Sequence, residues 1–208
     1  MTENPTTAHA LMTRGPIIPV VVLHRVEHAI PLAQALLAGG VDTMEITLRT
    51  PRALEAIAAV AQNVPGMAVG AGTIVRPEQA EQAVHAGATF LVSPGSTPRL
   101  LSAMLDQGVP VLPGAATASE VIALLEQGIT EMKFFPAAAI GGPAALRGLA
   151  GPLPDVTFCP TGGIGKASST TYLALPNVAC VGGSWLTPSD LVSSENWRAI
   201  AEGAADWQ

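Results

Sequence analysis

Two kinds of apolar run alternate along this chain. Ala-rich stretches with helical spacing end at a glycine, and a short strand-like run then leads into a polar or Gly/Pro turn. Glycines stand at these junctions at positions 40, 66, 87, 108 and 128, where a helix commonly ends with a left-handed residue. The later glycines recur at about 20-residue intervals, enough for one strand, one helix and two short loops. The pattern therefore predicts a repeated strand–helix unit.

The repeat predicts strands and helices in strict alternation. Eight strands are expected near 17–23, 42–48, 67–71, 89–93, 109–113, 130–135, 156–160 and 178–182. Helices are expected near 26–38, 51–62, 76–86, 97–106, 118–127, 142–149, 166–174 and 195–205. Such alternation indicates an α/β protein with a parallel sheet, and eight units in a single domain over 1–208 predict a closed (β/α)8 TIM barrel. An open doubly wound sheet is the alternative, weakened because no G-x-G-x-x-G follows the first strand.

Residues 1–15 lie outside this repeat and are expected to form an N-terminal extension. A helix over 6–14 is predicted to cover the bottom of the barrel. The extension has no charged segment followed by a long apolar core, so no secretory signal is predicted. No apolar run reaches the roughly 18 residues of a membrane helix. A cytoplasmic protein is the expectation.

Charge is scarce in this sequence. Only 12% of the 208 residues are charged, and the net charge is −6, which argues against nucleic acid or an anionic membrane as a partner. So little charge predicts that part of the surface is buried between subunits. Cys159 and Cys180 fall in apolar strand-like runs and are predicted to be buried thiols. The four histidines match no metal-site spacing and are interpreted as solvated or capping residues: His9, His24, His28 and His85.

A lysine lies in the middle of the most apolar predicted strand, 130–135. The chain has two lysines, Lys133 and Lys166, and Lys133 shares one strand face with Glu131 and Phe135. Burying an ammonium group is costly unless it is neutral or paired. Burial lowers a lysine pKa and leaves free amine, a nucleophile for carbonyls. The two interpretations of Lys133 are therefore a Schiff-base nucleophile and an ion pair with a nearby carboxylate.

Polar side chains also collect on the second strand. Glu45, Thr47 and Arg49 share one face, and this face must point inward because the apolar face packs against helices. Inward charges are expensive unless they meet a ligand or each other, so a Glu45–Arg49 salt bridge is the alternative to a ligand site. Thr73 and the Ser-Pro-Gly turn at 93–95 follow the third and fourth strands, at the strand ends where barrel active sites lie.

Glycine pairs follow the seventh and eighth strands. The sequence reads Thr-Gly-Gly-Ile at 161–164 and Gly-Gly-Ser at 182–184. Successive glycines leave backbone N–H groups available to form an anion nest, and barrels frequently bind phosphate with these two loops. Two Gly-rich turns with no ligand are the alternative.

These segments together resemble the KDPG/KHG aldolases, which act on 2-dehydro-3-deoxy-6-phosphogluconate (KDPG) and 4-hydroxy-2-oxoglutarate (KHG). The resemblance covers about 15–190. It rests on the segments 39–50, 70–73 (Gly-Ala-Gly-Thr), 93–95, 132–137 (Met-Lys-Phe-Phe-Pro-Ala), 159–164 (Cys-Pro-Thr-Gly-Gly-Ile) and 182–186 (Gly-Gly-Ser-Trp-Leu). The chain departs from the family pattern in the loop after the lysine strand, where Ala138 and Ile140 replace a frequent Glu and Asn.

The resemblance implies a class I aldolase on a (β/α)8 barrel, a homotrimer with no metal and no cofactor. It implies Lys133 as the Schiff-base lysine and Glu45 as the proton-transfer base. The substrate-binding residues that it implies are Arg49 and Thr73 for the pyruvyl carboxylate, Pro94, Phe135 and Thr161 for the pyruvyl pocket, and Gly162, Gly163, Gly183 and Ser184 for phosphate. The implied substrates are 2-oxo acids, cleaved to pyruvate and an aldehyde.

Two other functions remain open from the residues. One is a phosphosugar isomerase or decarboxylase barrel, in which Lys133 would only stabilise charge. The other is a non-catalytic protein that binds phosphorylated metabolites. Covalent trapping of substrate on a lysine separates the aldolase from both.

Overall fold

The computed structural model describes residues 4–207, so the ends of the predicted 1–208 domain, 1–3 and 208, lie outside the described residues. Its strands are β1 Ile17–Val21, β2 Thr43–Thr47, β3 Ala68–Gly72, β4 Leu91–Val92, β5 Val111–Leu112, β6 Gly114–Ala115, β7 Glu131–Phe134, β8 Thr157–Pro160 and β9 Val181–Gly183. Its helices are α1 Ala8–Met12, α2 Ala29–Ala38, α3 Ala53–Asn63, α4 Pro77–His85, α5 Pro98–Leu105, α6 Ala118–Leu125, α7 Gly142–Ala150, α8 Lys166–Leu173, α9 Ser189–Ser193 and α10 Trp197–Ala205.

The strands pair in parallel, as the alternation predicts. One sheet has six strands in the order β5-β4-β3-β2-β1-β9, and a second has three in the order β6-β7-β8. Isolated parallel bridges, Phe158 to Val178 and Thr161 to Gly182, join β8 to the chain at β9. The fold is thus an α/β arrangement with a curled parallel sheet rather than an open doubly wound one.

The predicted fifth strand, 109–113, is divided in the structure. β5 ends at Leu112 and β6 begins at Gly114, with Pro113 between them. Proline has no N–H to donate to a strand ladder, but the Pro113 carbonyl still accepts a 3.0 Å hydrogen bond from the amide of Lys133. The interruption therefore falls where the chain passes from one sheet to the other.

Local signals account for most helix boundaries. All five junction glycines of the repeat have positive φ, as expected for left-handed caps. At α6, Thr117 and Glu120 form a reciprocal capping box. The short helix α9 lies outside the predicted helices, because five residues are too few to show a helical period.

Alternate strand residues pack in two separate layers. One face of the sheet packs against the helices and contains most of the apolar residues. The other face forms a smaller cluster with α1, here called the interior cluster: Leu11, Met12, Ile18, Phe90, Val92, Leu112, Cys159 and Cys180. Arg14, just after α1, donates two hydrogen bonds to Asp42 at the start of β2, with Nη2 to Oδ2 at 2.7 Å and Nε to Oδ1 at 3.1 Å. The predicted N-terminal helix therefore covers the N-terminal ends of the strands.

Within residues 4–207, no helix combines the length and the apolar character needed to cross a bilayer.

Candidate active site

A buried ion pair lies at the centre of the candidate site. Lys133 on β7 and Glu45 on β2 each have 3% of their surface exposed, and Lys133 Nζ lies 3.2 Å from Glu45 Oε1. A strand places alternate side chains on one face, and these two side chains meet from different sheets. Glu45 therefore pairs with Lys133 and not with Arg49. In this pair each buried charge is balanced by the opposite charge of its partner. The pair also brings an amine within proton-transfer distance of a carboxylate.

Arg49 lies at the rim of the site rather than inside it. β2 ends at Thr47, and Arg49, two residues later, is exposed. Its Nε donates a 3.2 Å hydrogen bond to Thr73 Oγ1. Thr73 has a left-handed backbone, with φ of 60°, an uncommon conformation that costs a β-branched residue about 1–3 kcal/mol. The surrounding structure therefore holds this hydroxyl at the end of β3, beside a guanidinium.

An open cavity of about 340 Å³ lies beside the ion pair at the C-terminal ends of the strands. Its lining includes seven of the predicted site residues: Arg49, Phe135, Thr161, Gly162, Gly163, Gly183 and Ser184. Phe135 connects the two features, because its ring centroid is 5.6 Å from Lys133 Nζ. Polar groups from three separate strand ends thus converge on one concave surface, the usual form of a small-molecule site.

Four predicted site residues lie outside the described lining of the cavity: Glu45, Thr73, Pro94 and Lys133. Pro94 packs at β6, where a side chain on Gly114 would collide with the Pro94 backbone. Ser93 Oγ accepts a 3.4 Å hydrogen bond from the Gly114 amide, and the Ser96 hydroxyl, one residue after the turn, donates a 2.9 Å hydrogen bond to the Gly114 carbonyl. The Ser-Pro-Gly turn therefore supports β6, which is the neighbour of the lysine strand.

Both glycines of the Thr-Gly-Gly-Ile loop have a left-handed backbone. Gly162 and Gly163 have φ values of 100° and 72°, which glycine adopts without steric cost. Among the described residues, the amides of Gly163 and Ser184 donate to no other group, and both residues are exposed at the cavity. Ala138, at the departure from the family pattern, donates its amide to the Gly162 carbonyl at 3.0 Å. The N–H groups of Gly163 and Ser184 are therefore available to an anion.

Four lining residues were outside the sequence prediction: Val20, Val22, Ile164 and Gly182. Val20 and Val22 flank the end of β1, and their apolar character is indistinguishable from that of core residues in the sequence. Gly182 was part of the glycine motif, and a side chain there would collide with Thr161. Its role is to leave room for that threonine.

The cysteines are buried as predicted. Cys159 and Cys180 are free thiols with 3% and 0% of their surface exposed. The hydrogen bond with the Cys159 side chain, followed by burial, raises the pKa of the Cys180 thiol well above its usual value. Cys180 therefore stays protonated and packs as an apolar group.

The interpretation of the histidines is right for three of the four. His9, His24 and His85 are exposed. The interpretation is wrong for His28, which is buried. Its Nε2 lies 3.2 Å from Glu195 Oε1, and its ring is edge-on to Trp197 at a centroid distance of 5.6 Å. Its partners come from the C-terminal segment, so no local sequence signal marks the contact.

Comparisons with known proteins identify the family of the chain. The chain matches the family described as "Aldolase: KDPG and KHG aldolase" over residues 8–202. It belongs to the KDPG and KHG aldolase family. The KHG/KDPG aldolase of Escherichia coli is 47% identical over 201 residues, covering 97% of this chain and 94% of that protein.

Two solved structures of KDPG aldolases are close to the whole chain. The Legionella pneumophila enzyme, with pyruvate captured as a covalent carbinolamine intermediate, has a TM-score of 0.95 and 44% identity, and 98% of each chain is covered. The Zymomonas mobilis enzyme, with 3-phosphoglycerate, has a TM-score of 0.90 and 42% identity, covering 98% of this chain and 97% of that one. Both relatives share the fold of this KDPG and KHG aldolase family member from end to end.

Proposed function

We propose that the protein is a class I aldolase that cleaves 2-dehydro-3-deoxy-6-phosphogluconate to pyruvate and glyceraldehyde 3-phosphate. It also cleaves 4-hydroxy-2-oxoglutarate to pyruvate and glyoxylate. The observation that carries the proposal is the buried Lys133–Glu45 pair, 3.2 Å apart, beside a cavity with an arginine and two glycine loops. The covalent pyruvate of the Legionella relative supports the Schiff-base chemistry. Family membership favours this function over an isomerase, a decarboxylase or a binding protein.

Lys133 is the nucleophile in this proposal. Glu45 Oε1 is placed to accept a proton from Nζ, and the free amine then attacks the C2 ketone of the substrate. The carbinolamine loses water to give an iminium, which is an electron sink. When the C4 hydroxyl loses its proton to Glu45, directly or through water, the C3–C4 bond breaks and the aldehyde leaves. The resulting enamine takes a proton at C3, and water then releases pyruvate and restores the lysine.

The remaining predicted residues hold the substrate around this centre. Arg49 and Thr73 bind the pyruvyl carboxylate, for which a guanidinium fork is suited. Pro94, Phe135 and Thr161 form the pyruvyl pocket. The far end of the substrate lies in the glycine loops, where Gly162, Gly163, Gly183 and Ser184 bind its phosphate. The phosphorylated ligand of the Zymomonas relative supports a phosphate site in such an enzyme.

We further propose that the two sheets are arcs of one closed (β/α)8 barrel. The bridges between β8 and β9 join them on one side, and β5 continues into β6 through Pro113 on the other. The sparse charge and three exposed large apolar residues away from the cavity, Val75, Leu105 and Ile122, support association of subunits, for which we propose a homotrimer. The proposed enzyme acts in the cytoplasm without metal or cofactor.

Borohydride trapping tests the proposed function. The protein incubated with pyruvate and borohydride should gain one reduced pyruvyl group, because borohydride converts an iminium into a stable secondary amine. Mass spectrometry should find the adduct on the peptide that contains Met132, Lys133 and Phe134. An adduct on Lys166, or no adduct, would overturn the aldolase and leave the isomerase and binding-protein alternatives.

Arg49→Lys should weaken pyruvate binding. Lysine keeps the charge but loses the planar fork, so KM for pyruvate in the condensation direction should rise roughly tenfold, equivalent to about 1.4 kcal/mol. Arg52→Lys is the matched control, because Arg52 is exposed and pairs only with Glu55 at 3.0 Å among the described carboxylates. An unchanged KM in Arg49→Lys would remove Arg49 from the pocket.

A further inference from the structure

Gly72 is the last residue of β3, and no backbone requirement explains a glycine there. It pairs with Thr47 of β2 in a regular parallel register. The glycines of the described chain with left-handed φ do not include it, so its conformation is one that any residue adopts. The reason for the missing side chain must lie in the space around it.

That space is occupied by Glu45. A Cβ atom on Gly72 would overlap Oε1, Cδ and Cγ of Glu45, and these are the three nearest atoms to that position. Gly70, two residues earlier on the same strand, differs, because a Cβ atom there would overlap the ring of Phe90. One glycine therefore makes room for a core aromatic ring, and the other makes room for the carboxylate of the ion pair.

We propose that Gly72 is a positioning residue for the aldolase reaction. Its lack of a side chain admits the Glu45 carboxylate to the place where Oε1 lies 3.2 Å from Lys133 Nζ. Gly72 acts on the reaction through Glu45 and does not itself touch the substrate. The inference rests on the proposed function, in which Glu45 transfers protons.

A methyl group at position 72 should displace Glu45 rather than the strand. The β3 backbone is held by its ladder with β2 and by the 2.8 Å hydrogen bond from the Leu48 amide to the Gly72 carbonyl. The overlapping atoms of Glu45, in contrast, all lie beyond its Cβ atom and move by rotation about the side-chain torsions. Moving that end breaks the contact with Lys133 while the fold is kept.

The Gly72→Ala variant tests the positioning of Glu45 with a reaction that requires proton transfer but no cleavage of a carbon–carbon bond. Exchange of the pyruvate C3 protons with deuterated water, followed by NMR, should slow on the order of 10²-fold, the contribution of a positioned acid–base group. KM for pyruvate should change by less than about twofold, because the carboxylate clamp is untouched.

The Glu45→Gln variant should likewise lose exchange rate while keeping its KM for pyruvate, and Gly72→Ala in the Glu45→Gln background should cause no further loss. Gly148→Ala, at an exposed position with nothing within 4 Å of its Cβ site, is the control and should exchange at the normal rate.

A thermal-stability cycle tests the contact without relying on activity. Gly72→Ala should lower Tm in the native background but not in the Glu45→Ala background, where the overlapping atoms are gone. Equal losses of Tm in both backgrounds, or undiminished exchange in Gly72→Ala, would overturn the proposal. If the native protein itself neither exchanges C3 protons nor forms the borohydride adduct, the proposed function fails, and the stability cycle still reports separately on the Gly72–Glu45 contact.

Discussion

Lys133→Arg is expected to lower kcat for aldol cleavage on the order of 10⁴-fold or more, the scale of loss when a covalent nucleophile is removed. Arginine keeps a positive charge beside Glu45 but does not form the iminium. The protein should stay folded, because the buried carboxylate, 3% exposed, keeps a cation. Pyruvate release in a coupled assay measures kcat, and circular dichroism measures Tm.

Lys166→Arg is the matched control, since Lys166 is the other lysine of the chain. It lies at the start of α8 in an exposed pair with Asp206, with Nζ 2.9 Å from Oδ2, so kcat should be unchanged. Lys133→Met is a poorer test, because it leaves Glu45 buried without a cation, a change that typically costs about 3–5 kcal/mol. Full activity in Lys133→Arg would exclude the Schiff-base mechanism.

The two residues of the ion pair could be found in the sequence, but their contact could not. Strand alternation places Glu45 and Lys133 each on an inward face, because the other face of each strand is apolar. Arg49, two residues beyond the end of β2, is the cation nearest to Glu45 along the chain, which made that pair the local alternative. Lys133 is 88 positions away, and only the packing of two sheets brings it closer.

Features that depend on contacts between residues far apart in the sequence were missed for the same reason. The glycine caps are local signals, and all five junction glycines were predicted correctly. His28 was predicted to be solvated or capping, but its side chain makes no capping hydrogen bond and is buried against Glu195 and Trp197 from the end of the chain. Val22 carries no polar group to mark it as part of a site. The requirement for Gly72 becomes visible only when the Glu45 side chain occupies the space beside it.

Gly163→Pro should separate the phosphorylated substrate from the unphosphorylated one. Proline removes the amide that points to no described acceptor, and its φ near −65° is incompatible with the observed 72°. A hydrogen bond to a charged group contributes about 1.5–3 kcal/mol, so kcat/KM for 2-dehydro-3-deoxy-6-phosphogluconate should fall roughly 10- to 100-fold. Cleavage of 4-hydroxy-2-oxoglutarate, which has no phosphate, should fall by less than about threefold. Gly165→Ala is the control in the same loop, because nothing lies within 4 Å of its Cβ site; equal losses on both substrates in Gly163→Pro would show that the loop is structural.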